Sequence, residues 1–287
     1  MGHYDHRVHA GNAGDVWKHF LLLEAANCLL DPDSSLVYAE SHAGRPCYAL
    51  RAPGDWEGGI GRIWPLLPSL LNFSYFQILS ELNHGDQKRD PGSLLYPGSA
   101  RLIIELAQRK GAALRADVWD LDPDVISSWQ EFSSQDLHFS QDRSPQSALR
   151  SGLAFHQGDG FSGALFQLAG SSAAGVGLVG SPAGLLFIDP PYVKSEDARL
   201  AGDLLQKAKD RGWIVLWWYM TGMKTVPDGL ETFELHFSDA GLDGGRWKGA
   251  VMACACPDGE QSDCLLDHLH RQAEDFVAKC RGLISVQ

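Results

Sequence analysis

The chain has 287 residues, 44% hydrophobic and 21% charged, with a net charge of −12 at pH 7. That composition belongs to a globular protein and excludes low-complexity and disordered classes. The length suits one large domain or two small ones, and a net acidic chain does not coat nucleic acid by bulk attraction, although a local basic groove stays open. The six cysteines (Cys28, Cys47, Cys254, Cys256, Cys264 and Cys280) hold no C-x-x-C pair. They read as buried free thiols of a reducing compartment. No cationic stretch followed by an apolar one opens the chain, and the run over 20–30 is too short to span a bilayer. A soluble, cytoplasmic protein is expected.

In chain order, 15–30 predicts a helix with Asp15 near its cap. Residues 35–40 predict the first strand. Between it and the next strand lie about seventy residues, where a strand-helix-strand unit takes about 30. Within them, 53–95 holds Pro53, Pro65, Pro68, Pro91 and many aromatics. It reads as an inserted, mostly helical subdomain of a single domain over 1–287, with a polar loop over 83–93. A helix over 99–110 stops at Gly111. A strand over 114–120 and a helix over 123–132 follow. Strands over 153–156, 184–188, 213–219, 231–237 and 250–256 complete the series, with helices over 196–211 and 263–281. Apolar strands alternating with helices point to a doubly wound α/β fold with a parallel sheet.

The strongest local signal is Asp189-Pro190-Pro191-Tyr192, directly after an apolar strand. Ligands of open α/β sheets bind at the carboxyl ends of strands, so Asp189 stands at that rim. Two prolines stiffen the turn. The Asp189 carboxylate and the Pro190 carbonyl are acceptors, and Tyr192 offers a flat face. Together they suit a planar ring with an exocyclic amine, which donates to both acceptors while the ring stacks. The competing reading is a rigid turn with Asp189 capping the next helix. A second signal runs from Tyr38 through Glu40 to His42-Ala43-Gly44, a strand ending in an acid before a glycine turn. Asp120 ends the next strand, where such folds hold ribose hydroxyls. Asp122, before Pro123, reads as a helix cap. Asp159, between Gly158 and Gly160, suits an adenine amine or an ordinary turn. His3, His6 and His9 match no helical ligand spacing, so no metal is expected. Lys18 and His19, on the first helix, are placed to face an anionic group.

Five segments then occur in order: Tyr4 to His19, His42-Ala43-Gly44, Tyr96-Pro97-Gly98-Ser99, Gly158-Asp159-Gly160-Phe161 and Asp189-Pro190-Pro191-Tyr192. The set resembles the RlmJ family over nearly the whole chain. Bacterial members of that family methylate the N6 amine of one adenine in 23S ribosomal RNA. They have also been labelled as proteins for using external DNA. The resemblance implies a Rossmann-like, S-adenosylmethionine-dependent methyltransferase fold, with a mostly parallel seven-stranded sheet and a small helical insertion. It implies S-adenosyl-L-methionine as cofactor, lined by His19, His42, Ser99, Asp120, Asp159, Gly160 and Asp189, with Lys18 beside them. Asp189 becomes the catalytic acceptor, with Pro190 and Tyr192; Tyr4 contacts or gates the target base.

Three departures stand out. Gly44 is followed by Arg45-Pro46 where the family has a second glycine. Glu40 replaces an aspartate. Gly244-Gly245-Arg246-Trp247-Lys248-Gly249 is basic and glycine-rich but lacks the family's pattern. The expected reaction is direct methyl transfer to an unstacked adenine, with no metal. Naked or partly assembled ribosomal RNA is the expected partner, a membrane is not, and a monomer is favoured. Arg7, Lys18, Arg45, Arg51, Arg62, Arg246 and Lys248 form a candidate cationic rim for phosphates. The alternatives are a nucleic-acid-binding or DNA-utilisation protein on a degenerate methyltransferase fold, or an adenine methyltransferase of DNA.

Overall fold

The computed structural model describes residues 8–32, 34–84, 90–135, 152–170, 184–223 and 229–284. Seven strands form the main sheet: β1 (Ser35–Glu40), β4 (Ala113–Asp120), β5 (Gly152–Gln157), β6 (Leu185–Ile188), β7 (Ile214–Met220), β8 (Glu231–His236) and β9 (Gly249–Ala255). Their order is β5-β4-β1-β6-β7-β9-β8. The pairs from β5 to β7 are parallel, and β9 runs antiparallel between β7 and β8. This is the expected α/β, Rossmann-like class with a mostly parallel seven-stranded sheet. Every residue of β6 and β9 is buried, as strands covered on both faces require.

Between β1 and β4 lie a short ribbon and several short helices. β2 (Cys47–Ala49) pairs with β3 (Leu95–Pro97). α2 (Ile60–Ile63), α3 (Leu67–Leu70) and α4 (Ser74–Leu82) lie between them. Prolines near the starts of the short turns suit first-turn positions. The remaining helices are α1 (Ala13–Leu29), α5 (Ser99–Lys110), α6 (Pro123–Gln135), α7 (Gly160–Gly170), α8 (Asp197–Lys209) and α9 (Glu260–Ile284). α5 stops at Gly111 in the left-handed conformation, φ 70°, as its sequence predicts.

α1 is the buried axis of one face. All residues from Ala13 to Ala26 are buried, which fits a helix apolar nearly all round. It packs against α4, α5 and α9. Phe20 stacks on Phe276 at 4.8 Å and meets Phe73 edge-on at 5.1 Å. The other face is packed by α7 and α8, with Trp213 and Trp217 beneath them.

Three local expectations change. The cap of α1 is Asn12, whose Oδ1 accepts from the Asp15 amide at 2.8 Å; Asp15 instead turns inward and accepts from the Gly11 amide at 2.8 Å. α9 begins at Glu260, one turn before Asp263. Only Cys254 and Cys280 of the free thiols are buried; Cys264 is exposed. No helix among the described residues is long and apolar enough to cross a membrane.

Candidate active site

Asp189 lies where β6 ends, at the carboxyl rim. Its Oδ2 accepts from Lys18 Nζ at 2.6 Å, and the same ammonium meets Asp15 Oδ1 at 2.8 Å. Both Lys18 and Asp15 are almost fully buried, and the Asp189 side chain is 14% exposed. Burial works against the ammonium, yet the Asp15 and Asp189 carboxylates outweigh it and hold Lys18 above its ordinary range. Lys18 also lies 5.1 Å from the Trp218 ring. The buried Trp218 Nε1 beside it has no hydrogen-bond partner among the described residues.

Pro190 is buried. Tyr192 holds a positive φ of 52°, a conformation non-glycine residues rarely adopt. Its hydroxyl donates to the Trp218 carbonyl and accepts from Trp217 Nε1, the latter at 2.7 Å. Burial raises the Tyr192 hydroxyl above its usual range. Tyr192 is thus tied to β7 by its oxygen and is half-buried rather than a fully open platform.

The turn after β1 sits between Asp189 and the ends of β4 and β5. Gly44 holds φ 61°, and a Cβ there would meet the Tyr48 hydroxyl at 2.5 Å. Asp120 accepts from the Gly44 amide at 3.1 Å and from the Asp122 amide at 2.8 Å. The amides of Ser41 and Ala43 bond to Phe187 and Trp119 carbonyls, and that of Arg45 to the Tyr48 hydroxyl. Pro46 has no amide hydrogen, but its carbonyl accepts from Gly98 at 3.0 Å. The Arg45-Pro46 departure therefore seats the turn against the start of α5. Its amides are mostly engaged within the protein, which leaves ligand recognition there to side chains.

Those side chains converge. His42 packs edge-on to Phe161 at 4.8 Å and pairs with the Ser41 hydroxyl at 2.9 Å. Burial pushes the imidazole down, against the pull of Asp189, Asp120, Asp197 and Asp159. Asp159 caps α7, accepting from the Ser162 amide at 3.1 Å and hydroxyl at 2.6 Å. Gly160 presses its backbone on the turn: a Cβ would fall 1.6 Å from the Ser41 carbonyl oxygen. Asp122 accepts from the Asp124 amide at 2.8 Å, a helix-capping bond of the expected kind.

Ser99 and His19 are buried behind this row. Ser99 Oγ donates to Glu40 Oε1, and Tyr38 donates to Glu40 Oε2 at 2.7 Å. Glu40 is fully buried, and burial raises its carboxyl to about 8 despite these two bonds. His19 Nδ1 meets the Tyr96 hydroxyl at 3.1 Å, which in turn meets Tyr75 at 2.9 Å. Tyr4 and Arg7 lie outside the described residues. Lys18 leaves the expected cationic rim, because both of its carboxylate partners are internal. The partner role of Asp15 was missed; its i, i+3 spacing from Lys18 was the available signal. The Glu40–Ser99 bond joins residues 59 positions apart and had no local signal.

The chain is similar in sequence to two proteins named ribosomal RNA large subunit methyltransferase J. The one from Haemophilus influenzae is 26% identical over 217 residues, 73% of this chain and 65% of that protein. The one from Escherichia coli is 30% identical over 201 residues, 68% of this chain and 60% of that protein. The chain thus matches somewhat under two thirds of each relative's length. These names agree with the resemblance read from the motifs. No family model matches the chain. In three dimensions it is similar to a crystal structure of a Legionella pneumophila protein, with TM-score 0.63, 22% identity and 94% of each chain covered. That likeness speaks to the fold.

Proposed function

We propose that this protein is an S-adenosylmethionine-dependent methyltransferase acting on the N6 amine of an adenine in large-subunit ribosomal RNA. The observation that carries the reading is Asp189, at the carboxyl end of a buried strand, with one carboxylate oxygen clamped by Lys18. The names of the two relatives support the substrate class.

The residues present fit the cofactor. Asp120, at the end of β4, offers carboxylate acceptors to vicinal hydroxyls. Asp159 follows β5 on the neighbouring strand as an acceptor for an adenine amine, and His42 packs against Phe161 of the helix that Asp159 caps. S-adenosylmethionine would supply the methyl group, carried on a sulfonium. His42, Asp120, Asp159 and Asp189 would hold it, with Lys18, Gly160, Ser99 and His19 shaping the wall behind them.

The protein's own part is positioning and proton handling. Lys18 holds Asp189 Oδ2, which turns Oδ1 toward the target amine. Oδ1 and the Pro190 carbonyl accept the two amine hydrogens and draw the nitrogen lone pair out of the ring. Tyr192, anchored to β7, bounds the pocket with its ring. Once the nitrogen is methylated it is acidic, and its proton leaves through Asp189 Oδ1 or water. The target base must be unstacked to reach this depth. Tyr4 would meet it from the N-terminal segment. A single domain, a monomeric state, naked or partly assembled RNA as substrate and a cytoplasmic location follow from the same reading.

The test is transfer of a labelled methyl group to naked large-subunit RNA. Asp189→Asn is expected to lower turnover at least about 100-fold, roughly the loss when one aligned acid–base group is removed, a larger drop than any loss of cofactor affinity measured by calorimetry. Near-normal turnover of this variant would refute the assignment. A wild type that binds RNA but no S-adenosylmethionine would favour the degenerate-fold alternative.

A further inference from the structure

Five large apolar side chains stand out as exposed among the described residues: Val8, Leu121, Phe166, Val193 and Trp247. All but Phe166 lie on loops at the carboxyl rim of the sheet. Val8 precedes α1, Leu121 follows Asp120, and Val193 follows Tyr192. Trp247, 41% exposed, sits in the loop before β9. Because β9 is antiparallel, its start lies at the same rim as the end of β7.

The Trp247 loop is built rather than slack. Gly244 bridges Trp247, and Gly245 forms the tip at φ 61°. The Gly245 amide donates to Asp243 at 2.9 Å, and the Phe237 amide donates to the Lys248 carbonyl at 2.9 Å. A Cβ on Gly244 would strike the Phe237 ring at 2.5 Å. The base of the loop is pinned to the segment between β2 and β3, since the Asp243 amide donates to the Gly58 carbonyl at 2.8 Å. That segment is pinned in turn to the start of α1 by the Ile60 amide on the Gly11 carbonyl at 2.9 Å. One chain of backbone contacts thus joins Trp247 to the helix that carries Lys18.

Charge selects the occupant. Arg246 lies over the Trp247 ring at 4.7 Å and makes no ion pair among the described residues. Exposed Lys248 donates to the Gly245 carbonyl at 3.0 Å and makes no ion pair among the described residues. Arg62 joins them from α2, contacting the Gly241 carbonyl at 3.3 Å and Asp243 at 3.5 Å. A cleft of about 390 Å³ opens beside them, lined by residues including His236, Trp247 and Lys248, and also by Asp239 and Asp243, which pair with Arg281 and Arg62. In a chain of net charge −12, an indole held by a pinned loop, beside a guanidinium and an ammonium that form no ion pair among the described residues, is suited to a flat ring carried on an anionic backbone. Aromatic stacking with adjacent cations is how single-stranded nucleic acid is held.

We propose that the 243–248 hairpin is a docking element for unpaired RNA: Trp247 stacks a base flanking the target, while Arg246 and Lys248 take its phosphates. This deepens the proposed function, on which it rests for the choice of RNA. The occupant is single-stranded RNA, not a second protein copy.

The experiment titrates intact protein into a fluorescein-labelled single-stranded oligoribonucleotide of mixed sequence, followed by anisotropy at several salt concentrations. S-adenosylmethionine binding is measured in parallel by calorimetry. Trp247→Ala is expected to weaken RNA binding about tenfold, and Trp247→Phe to restore most of it. The Arg246→Gln, Lys248→Gln pair should make the salt slope shallower by about 1.4, two contacts at about 0.7 each. Cofactor affinity stays unchanged in all three. Trp247→Ala and the Arg246→Gln, Lys248→Gln pair both within twofold of wild type, or a wild type that binds cofactor but no RNA, overturn the proposal. So does a dimer that Trp247→Ala dissociates with RNA affinity unchanged, which would assign the face to a second copy. Loss of cofactor binding in the wild type would instead sink the methyltransferase reading, and Trp247-dependent RNA binding would then still support the hairpin.

Discussion

Two sets of cations share the carboxyl rim, and they do opposite work. Lys18 is buried on α1 and is neutralised by Asp15 and Asp189 within 2.8 Å. Arg62, Arg246 and Lys248 stand in solvent at the antiparallel edge, and Arg246 has no carboxylate partner among the described residues. A cation removed from water must be paired, so Lys18 is fixed and can organise a reacting group. A solvated cation costs little to leave unpaired and stays available to phosphate. On the proposed reading, the rim divides into a part that positions chemistry and a part that meets a partner.

Breaking the buried set gives the largest expected effect. Lys18→Met leaves two buried carboxylates without their cation and should cost about 3–5 kcal/mol in urea unfolding. Adding Asp15→Asn should recover part of that loss without recovering methyl transfer. A Lys18→Met protein as stable as wild type would show that the pair carries no such burden.

Glu40 sharpens the comparison, because it is a buried acid with hydroxyl partners in place of a bonded cation. Burial raises its carboxyl to about 8. Between the ordinary carboxylate range and pH 8, the folded chain keeps a proton that the unfolded chain has released. Stability from this group therefore falls as pH rises through that window, by at most about 1.4 kcal/mol per pH unit. Glu40→Gln should remove the slope, so the variant gains on wild type from pH 5.5 to pH 7.5 by up to about 2.7 kcal/mol. Parallel stability profiles would place the Glu40 titration outside that window.

The smallest effect lies at the exposed edge. Arg62→Ala removes a solvent-facing pair with Asp243 at 3.5 Å. Its expected cost in thermal unfolding is under about 1 kcal/mol. A larger loss would mean that the pair holds the hairpin on the Gly58 segment, which the backbone bond from Asp243 is expected to do unaided.

Much of this was legible in one dimension. β6, β7 and β9 declare themselves as apolar runs, because strands covered on both faces have little room for polar residues. Gly111 marks a helix end, since a left-handed residue there favours glycine. Asp189 was placed at the rim because a strand that runs into two prolines must end. By contrast, Asp15 was read as a cap, because a helix start looks alike whether its carboxylate turns outward or inward. Tyr192 was read as a flat face for a stacked ring, and nothing near it in sequence shows that Trp217 and Trp218 also hold its oxygen.

The sequence by itself determined the strand–helix alternation, the strand ends and the residue types standing at them. Those follow from local conformational preference and from the period of burial. Only the tertiary structure decided that Lys18 meets Asp189 across 171 residues, that Glu40 is sealed behind Ser99, and that the Trp247 hairpin is pinned to the helix that carries Lys18. Such pairings depend on which rims and helix ends the strand crossings bring together, and desolvation then fixes which charges must find a partner.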